Sequence, residues 1–320
     1  MKIKKLHIKN FKSIADLEII EPNPFTVFVG PNGSGKSNIF EALEFLSLSL
    51  RLGRYHLSGL FGGEESFINF KLLHENLDIS LHSQTSFLRI YSLFKLAERD
   101  YLTDNDGDYD ADLQIFSDFS RIFINKISLQ KLNYKDNTKL TLSTDNFERV
   151  LKRLLEDENL NEEITEWLEL FIPGFEKVEV ISSALSVTDT LLIYERGIEK
   201  PFTKELISDG TYNILVLITA ILQSDEPQFL CIEEPENGLN PKVVKELVHF
   251  CRNACEEKGH YIWLNTHSQT LLSELKEEEL IVVDKKKGET QIKQFKKGDF
   301  YGLRADEALL TNVLGGGIPW

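Results

Sequence analysis

Residues 25–46 read FTVFVGPNGSGKSNIFEALEFL, and the fold prediction starts from this stretch. The apolar run 25–30 stops at a glycine, so it predicts a short buried strand. From Ser37 onward, apolar residues recur at helical spacing, which predicts a helix that begins near Gly35. A strand, a glycine-rich turn and a helix in immediate succession are typical of an α/β fold.

The turn at residues 30–37 matches the pattern G-x-x-x-x-G-K-[ST] in full. Its glycines let backbone N–H groups point inward, and the helix N-terminus adds positive potential, so we expect this loop to cradle the triphosphate of ATP. Lys36 should reach the β- and γ-phosphates, and Ser37 should offer its hydroxyl to Mg²⁺. The predicted nucleotide-binding residues of this segment are Asn32, Gly33, Ser34, Gly35, Lys36, Ser37 and Asn38.

Two further strand ends carry residues suited to phosphate chemistry. The apolar run 229–232 precedes Glu233 and Glu234, which we predict to be the Mg²⁺ ligand and the general base for an attacking water. The alternative is that these carboxylates only solvate a strand end. The strand 261–266 precedes His267, where a neutral imidazole could relay a hydrogen bond at the γ-phosphate. Glu234 and His267 are therefore the predicted catalytic residues.

Composition limits the classes of protein that remain. The 320 residues carry 36 basic and 51 acidic side chains, and the formal net charge of −15 disfavours indiscriminate binding of nucleic acid. Lysines nevertheless cluster in 2–12 and 285–297, which leaves two readings open: a DNA contact, or solvated strand faces and a hairpin turn. The three cysteines argue against a disulfide framework and favour a reducing cytoplasm.

Several weaker signals point away from other classes. The N-terminus has no continuous apolar segment typical of a secretory signal, and the apolar stretch 214–222 is far shorter than the roughly 20 residues that span a membrane, so no membrane partner is expected.

Alternating aspartates in 104–112 resemble a calcium loop, but the glycine is misplaced and Ile115 replaces the bidentate Glu, which favours an exposed acidic loop. Cys251 and Cys255 lie one helical turn apart without a second pair, which favours packing over zinc.

The order of these motifs resembles the ATP-binding-cassette (ABC) type heads of the RecF, SMC and overcoming-lysogenization-defect (OLD) group of P-loop ATPases. IKNFKSI at 8–14 looks like the group's N-terminal strand pair, and from it we predict Lys12 as a further nucleotide contact. LISDGTYNIL at 206–215 resembles the signature motif, in which Ser208 and Gly210 would bind nucleotide. Glu233 and Glu234 look like the Walker B end, 236–241 like the D-loop, and His267 like the switch histidine. Glu233 departs from the usual aspartate, so its carboxylate reaches one methylene farther.

The resemblance implies an α/β P-loop NTPase of the ABC head type. Its mixed or parallel central sheet would be joined by an N-terminal antiparallel β subdomain and a helical lobe. We expect residues 1–91 and 175–320 to form a discontinuous ATPase core, with 92–174 as a mostly helical insertion. Heptads are missing between Ser37 and Ile207, so no long coiled coil is expected.

In this family the signature motif completes the nucleotide site of the opposite subunit, so the resemblance implies a homodimer or a higher assembly. We expect an ATP-hydrolysing head that controls a separately encoded effector, a nuclease or toxin, in prokaryotic anti-phage defence. The chain after His267 is short for a nuclease domain, so cleavage of nucleic acid should come from another polypeptide. The alternatives are a RecF-like repair ATPase that binds DNA directly and a nucleotide-gated scaffold that barely hydrolyses ATP.

Overall fold

The protein is described from a computed structural model that covers residues 2–52, 60–84, 86–95, 98–106, 119–124, 138–182 and 189–311. The strands are β1 (Ile3–Phe11), β2 (Ile14–Ile20), β3 (Phe25–Val29), β4 (Asp78–Ser83), β5 (Phe87–Lys95), β6 (Glu98–Asp106), β7 (Ser120–Phe123), β8 (Phe175–Ser182), β9 (Asp189–Glu195), β10 (Phe202–Thr203), β11 (Phe229–Glu233), β12 (Tyr261–Thr266), β13 (Leu280–Lys286) and β14 (Glu289–Gln294). The helices are α1 (Lys36–Leu52), α2 (Glu64–Phe67), α3 (Phe147–Leu155), α4 (Glu158–Phe171), α5 (Asp209–Leu222), α6 (Pro241–Lys258), α7 (Gln269–Leu272) and α8 (Ala305–Leu310). Short 3₁₀ turns lie at Lys204–Leu206 and Glu277–Glu279.

A central sheet with the strand order β14-β13-β3-β12-β11-β7 positions the functional residues. Strands β3, β7, β11, β12 and β13 run parallel, and only β14 pairs antiparallel. Every residue of β3, β11 and β12 is buried, as expected for parallel strands that are covered on both faces. The carboxyl ends of these strands therefore meet at one edge, where ligands of such sheets bind.

A second, antiparallel sheet has the order β2-β1-β4-β5-β6 and packs against α1. The contact is aromatic: the ring centroids of Phe11 and Phe45 lie 5.8 Å apart, and those of Phe45 and Phe67 lie 4.9 Å apart. Gln294 of β14 and Ile20 of β2 exchange two hydrogen bonds of 2.9 Å, which join the two sheets. The expected N-terminal antiparallel β subdomain is thus confirmed.

The third layer combines α3, α4 and α5 with the antiparallel sheet β10-β9-β8. Helix α3 buries Phe147, Val150, Leu151 and Leu154 on one face. Its residues, with those of α4 and α5, join β3, β11 and β12 in one continuous apolar core. This layer is the helical lobe of the predicted head.

The expectation that 92–174 is mostly helical is wrong in its first part. Strand β5 continues to Lys95, β6 follows it, and β7 is an edge strand of the central sheet. Strand β6 lies at the edge of its sheet, where an alternating apolar pattern is not required. Strand β7 contains a buried arginine, which interrupts its apolar pattern in the sequence. Only α3 and α4 meet the expectation among the described residues, and the domain division remains a prediction.

The structure also bears on the apolar stretch, the paired cysteines and the aspartate run of the sequence. Within the described ranges, no helix is both long and apolar enough to cross a bilayer. Cys251 and Cys255 are buried free thiols that pack in the apolar core. Asp104 and Asp106 lie in β6. The rest of the acidic run falls outside the described residues.

Candidate nucleotide-binding site

A cleft of about 350 Å³ opens at the carboxyl edge of the central sheet. It brings together eight of the predicted site residues, from the loop, the acidic strand end and the histidine strand end. Its lining residues are Ser13, Asn32, Gly33, Gly35, Lys36, Ser37, Asn38, Glu234, Asn265, His267 and Lys285.

The loop between β3 and α1 depends on close backbone approach at two glycines. A Cβ on Gly30 would lie 1.9 Å from the carbonyl oxygen of Val283. Gly35 has a φ of +105°, and a Cβ there would lie 2.0 Å from Oγ1 of Thr290. Any larger residue would therefore displace the loop, because both positions are already in contact with neighbouring strands.

Hydroxyl groups from outside the motif hold the loop in place. Oγ of Ser13 and Oγ1 of Thr290 lie 2.6 Å apart, and Thr290 donates a 2.8 Å hydrogen bond to the carbonyl of Ser34. Asn38 donates from Nδ2 to Ser13 at 2.7 Å. No sequence signal identified Ser13 and Thr290, because their contact depends on how β14 packs beside the first hairpin.

Lys36 is buried at the mouth of the loop. Its Nζ donates to the carbonyls of Gly30 at 2.8 Å and Pro31 at 3.2 Å. Burial lowers the pKa of Lys36 to about 8, although nearby carboxylates, Glu234 first among them, oppose that shift. A phosphate ligand would replace lost solvation, so the ammonium is suited to an anion at this position.

Ser37 and Glu233 form the candidate metal pair. Ser37 donates from Oγ to Oε2 of Glu233 at 2.6 Å, and Asn265 donates from Nδ2 to the same carboxylate oxygen at 3.2 Å. Hydroxyl and carboxylate oxygens are ligands that Mg²⁺ prefers. The residues fit Mg²⁺, provided that phosphate oxygens and water complete its coordination.

Glu234 is set apart from Glu233 by its backbone. Its φ of +49° lies in the left-handed region, and its N–H donates to the carbonyl of Asn265 at 3.0 Å. Asn237 donates from Nδ2 to Oε2 of Glu234 at 3.0 Å. Glu233 is buried beneath the cleft, whereas Glu234 lines it.

His267 follows β12 and lines the same cleft. Burial lowers its pKa, and the charge of Lys36 lowers it further, so the ring is neutral at physiological pH. The backbone N–H of His267 donates to Oε1 of Glu236 at 3.0 Å, and the hydroxyl of Thr266 donates to the same oxygen at 2.6 Å. Glu236 therefore fixes the turn that carries the histidine.

Ser208 and Gly210 do not line this cleft. Ser208 caps α5 by accepting a 3.1 Å hydrogen bond from the N–H of Thr211, and Gly210 packs on Gly238. Lys12 is also outside the cleft wall, because its ammonium pairs with Glu41 of α1. Ser34, which was also predicted to bind nucleotide, is buried within the loop and lines no part of the cleft.

Arg121 of β7 is a further residue near the site that sequence reasoning missed. Its side chain is only 6% exposed, and Nε donates to Oε1 of Glu233 at 2.7 Å. Nη1 donates to Oε2 of Glu44 at 2.9 Å. Burial alone would lower the pKa of Arg121, but the carboxylates of Glu233, Glu44 and Glu41 raise it above its ordinary value. No motif contains this arginine.

Comparison with known proteins gives a family match and several partial relatives. The family model described as "AAA domain, putative AbiEii toxin, Type IV TA system" matches residues 25–273. The chain is 52% identical over 44 residues to the chromosome partition protein Smc of Methanocaldococcus jannaschii, covering 14% of this chain and 4% of that protein. It is 31% identical over 119 residues to the DNA replication and repair protein RecF of Lactococcus lactis, covering 36% and 32%. The chain thus spans less than a third of either relative.

A solved structure resembles almost the whole chain. It is the Smc head domain with an extended coiled coil, bound to the C-terminal domain of ScpA, from Pyrococcus furiosus. The TM-score is 0.57 at 14% identity, and the match covers 92% of this chain and 96% of that one. The fold class expected from sequence is therefore confirmed.

Proposed function

The chain belongs to the AAA-domain family whose model matches residues 25–273, as a RecF/SMC-like P-loop ATPase of the ABC type, and on this premise we propose that it hydrolyses ATP between two copies of itself. The observation that carries the proposal is the convergence of Lys36, Glu234 and His267 on one cleft. Ser37 lines the same cleft and donates a hydrogen bond to Glu233, which is buried beneath it.

The proposed chemistry assigns one task to each side chain. Lys36 binds the β- and γ-phosphates, and the loop amides share the developing charge. Mg²⁺, held by Ser37 and Glu233, would neutralise phosphate oxygens when bound. Glu234 orients the attacking water and accepts its proton, and Asn237 holds that carboxylate by a 3.0 Å hydrogen bond. His267, neutral through burial, relays a hydrogen bond at the γ-phosphate.

The proposed dimer follows from the position of the signature residues. Ser208 caps α5 and Gly210 lies in its first turn, where the N-terminal amides and the helix dipole suit an anion. Neither residue lines the cleft of its own chain. A second copy of the chain would bring these amides to the γ-phosphate. Loss of that phosphate would remove the shared ligand and loosen the pair, so hydrolysis would time assembly.

We further propose that this cycle controls a separately encoded effector, a nuclease or toxin, in prokaryotic anti-phage defence. The family description names a toxin of a toxin–antitoxin system, and the Smc head from Pyrococcus furiosus is bound to a second protein, ScpA. The ScpA complex supports control of a second protein, and the family description supports a place in a toxin–antitoxin system. Plating phage on cells that express the chain with its neighbouring genes tests this role, and equal plaque counts for wild type and Glu234→Gln would refute it.

Steady-state phosphate release is the main test of the enzyme. Wild type should release phosphate from Mg·ATP, Glu234→Gln should still bind ATP but release phosphate at least about a hundredfold more slowly, and Lys36→Ala should not bind. Equal, near-zero rates for wild type and Glu234→Gln, with ATP binding intact, would favour the non-hydrolysing scaffold instead.

A direct DNA contact is the second candidate, and one observation favours it. Lys285, Lys286 and Lys287 are exposed where β13 turns into β14, and Lys285 lines the nucleotide cleft. By contrast, Lys4, Lys5 and Lys9 of β1 pair with acidic side chains, which weakens that cluster as a DNA contact. DNA affinity that falls about 10³-fold between 50 and 200 mM salt, and that is lost in a triple Lys→Ala variant of 285–287, would support this candidate.

A further inference from the structure

Arg121 occupies an unusual position for a buried cation, directly against the acid that ends β11. Opposite it in the parallel register lies Cys231, two residues before Glu233, so all three side chains share the face of the sheet that packs on α1. Both Nε and Nη2 of the guanidinium donate to Oε1 of Glu233. Glu233 is 2% exposed, so this ion pair is shielded from water.

The second oxygen of Glu233 faces a different set of groups. Oε2 accepts from the hydroxyl of Ser37 at 2.6 Å and from Asn265 at 3.2 Å. The two oxygens of Glu233 therefore have different partners: Oε1 accepts from Arg121, and Oε2 accepts from Ser37, the proposed Mg²⁺ ligand. A glutamate has the length to span the two, and an aspartate would be one methylene shorter.

The arginine is itself held from the helix side. Nη1 donates to Glu44 at 2.9 Å and lies 3.9 Å from Oε1 of Glu41, both on α1. Glu41 in turn pairs with Lys12 of the first hairpin. The guanidinium is therefore fixed on two sides by carboxylates, which makes its orientation toward Glu233 a built feature of the fold.

We propose that Arg121 is a positioning residue that turns Oε2 of Glu233 toward Ser37 and cancels the charge of this carboxylate, so that the site binds Mg²⁺ only together with the phosphates of a nucleotide. The inference rests on the proposed ATP site. Its physical basis is that a dication near a neutralised carboxylate gains little Coulomb energy until the anionic phosphates arrive.

Mn²⁺ binding to the nucleotide-free protein, followed by the electron paramagnetic resonance signal of the free ion, tests the proposal. Wild type should bind Mn²⁺ weakly at this site, and Arg121→Gln should bind it at least about tenfold more tightly, because the carboxylate is released. The matched control is Arg252→Gln. Arg252 forms a similar paired contact with Glu279, which is also 2% exposed, through hydrogen bonds of 2.8 and 2.9 Å. The Arg252→Gln substitution should leave the Mn²⁺ affinity unchanged.

Removal of a buried cation destabilises the chain, so two further variants keep the test decisive. Arg121→Gln with Glu44→Gln removes a carboxylate along with the cation and should show the same gain in Mn²⁺ affinity. Arg121→Lys keeps the charge and should stay near wild type. Mn²⁺ affinity within twofold of wild type in a folded Arg121→Gln protein, single or double, would overturn the role of Arg121. Failure of the wild type to bind Mg·ATP would instead refute the proposed function.

Discussion

Gly210 at the start of α5 packs directly on Gly238 in the loop after β11. A Cβ on Gly210 would lie 2.5 Å from the carbonyl oxygen of Gly238. Next to this contact, Asn213 donates from Nδ2 to the carbonyl of Asn237 at 2.8 Å, and Asn237 in turn binds Glu234. Helix α5, which carries the signature-like segment 206–215, is therefore tied to the candidate general base of the same chain.

Gly210→Ala should separate these two elements. Alanine is otherwise the better helix former, so any loss of stability would come from the contact with Gly238. We expect a loss of about 1–3 kcal/mol in the free energy of unfolding, as for other overpacked sites. Phosphate release should fall while ATP affinity stays near wild type. An unchanged melting temperature and an unchanged rate would contradict the contact.

Asn237→Ala should impair hydrolysis without affecting binding. The substitution removes the 3.0 Å hydrogen bond that orients Glu234, and a lost hydrogen bond to a charged group is worth about 1.5–3 kcal/mol. A similar loss in the transition state lowers kcat about tenfold to a hundredfold. Single-turnover kinetics with titrated ATP would measure kcat and affinity separately. A rise in Kd with kcat intact would show that Asn237 serves binding instead.

ATP affinity should fall as pH rises above about 8. Burial lowers the pKa of Lys36 to about 8 in the free protein, and a bound phosphate should raise it again. Affinity is therefore fully present below the free-state pKa and is lost as pH climbs toward the bound-state value. Calorimetric titration between pH 7 and about 9.5, where the nucleotide phosphates are already ionised, measures this slope. Lys36→Arg, which keeps its charge, should show a flat profile.

Ser208→Arg should block ATP-dependent dimerisation while nucleotide binding persists. Ser208 caps α5 outside its own cleft, so the bulky cation leaves the P-loop untouched but obstructs the proposed contact with a second copy. Light scattering of a hydrolysis-deficient Glu234→Gln background, with and without ATP, reports the oligomer. A dimer that persists unchanged in the Ser208→Arg protein would refute the proposed arrangement.

The central features of the site were predictable because they are local. Loop and helix follow from adjacent residues: glycines, then Lys36, then apolar residues at helical spacing, and α1 begins at Lys36. Glu234 and His267 each follow a short apolar strand. Parallel strands place their carboxyl ends at one edge of the sheet, so the sequence pattern alone predicted that these side chains lie close together, and they line one cleft.

One part of the prediction failed for a reason that lies in the pairing of strands. The expectation that 92–174 is mostly helical is wrong in its first part because β6 and β7 are edge strands, whose partners compensate for weak sequence patterns. Lys12 stays a predicted nucleotide contact, but its pairing with Glu41, a partner 29 residues away, was not predictable from any motif. Ionic contacts of this kind depend on side-chain geometry, which the spacing of residues along the sequence does not predict.

The sequence by itself determined the strand–loop–helix unit, the glycine-rich loop and the acidic and histidine strand ends. These depend on short-range steric rules, glycine conformations and the periodicity of apolar residues. Tertiary structure alone decided that Arg121 meets Glu233, that Ser13 and Thr290 hold the loop, and that Gly210 packs on Gly238. Each of these contacts joins segments far apart in the chain, and its geometry exists only after the two sheets and the helical lobe have packed together.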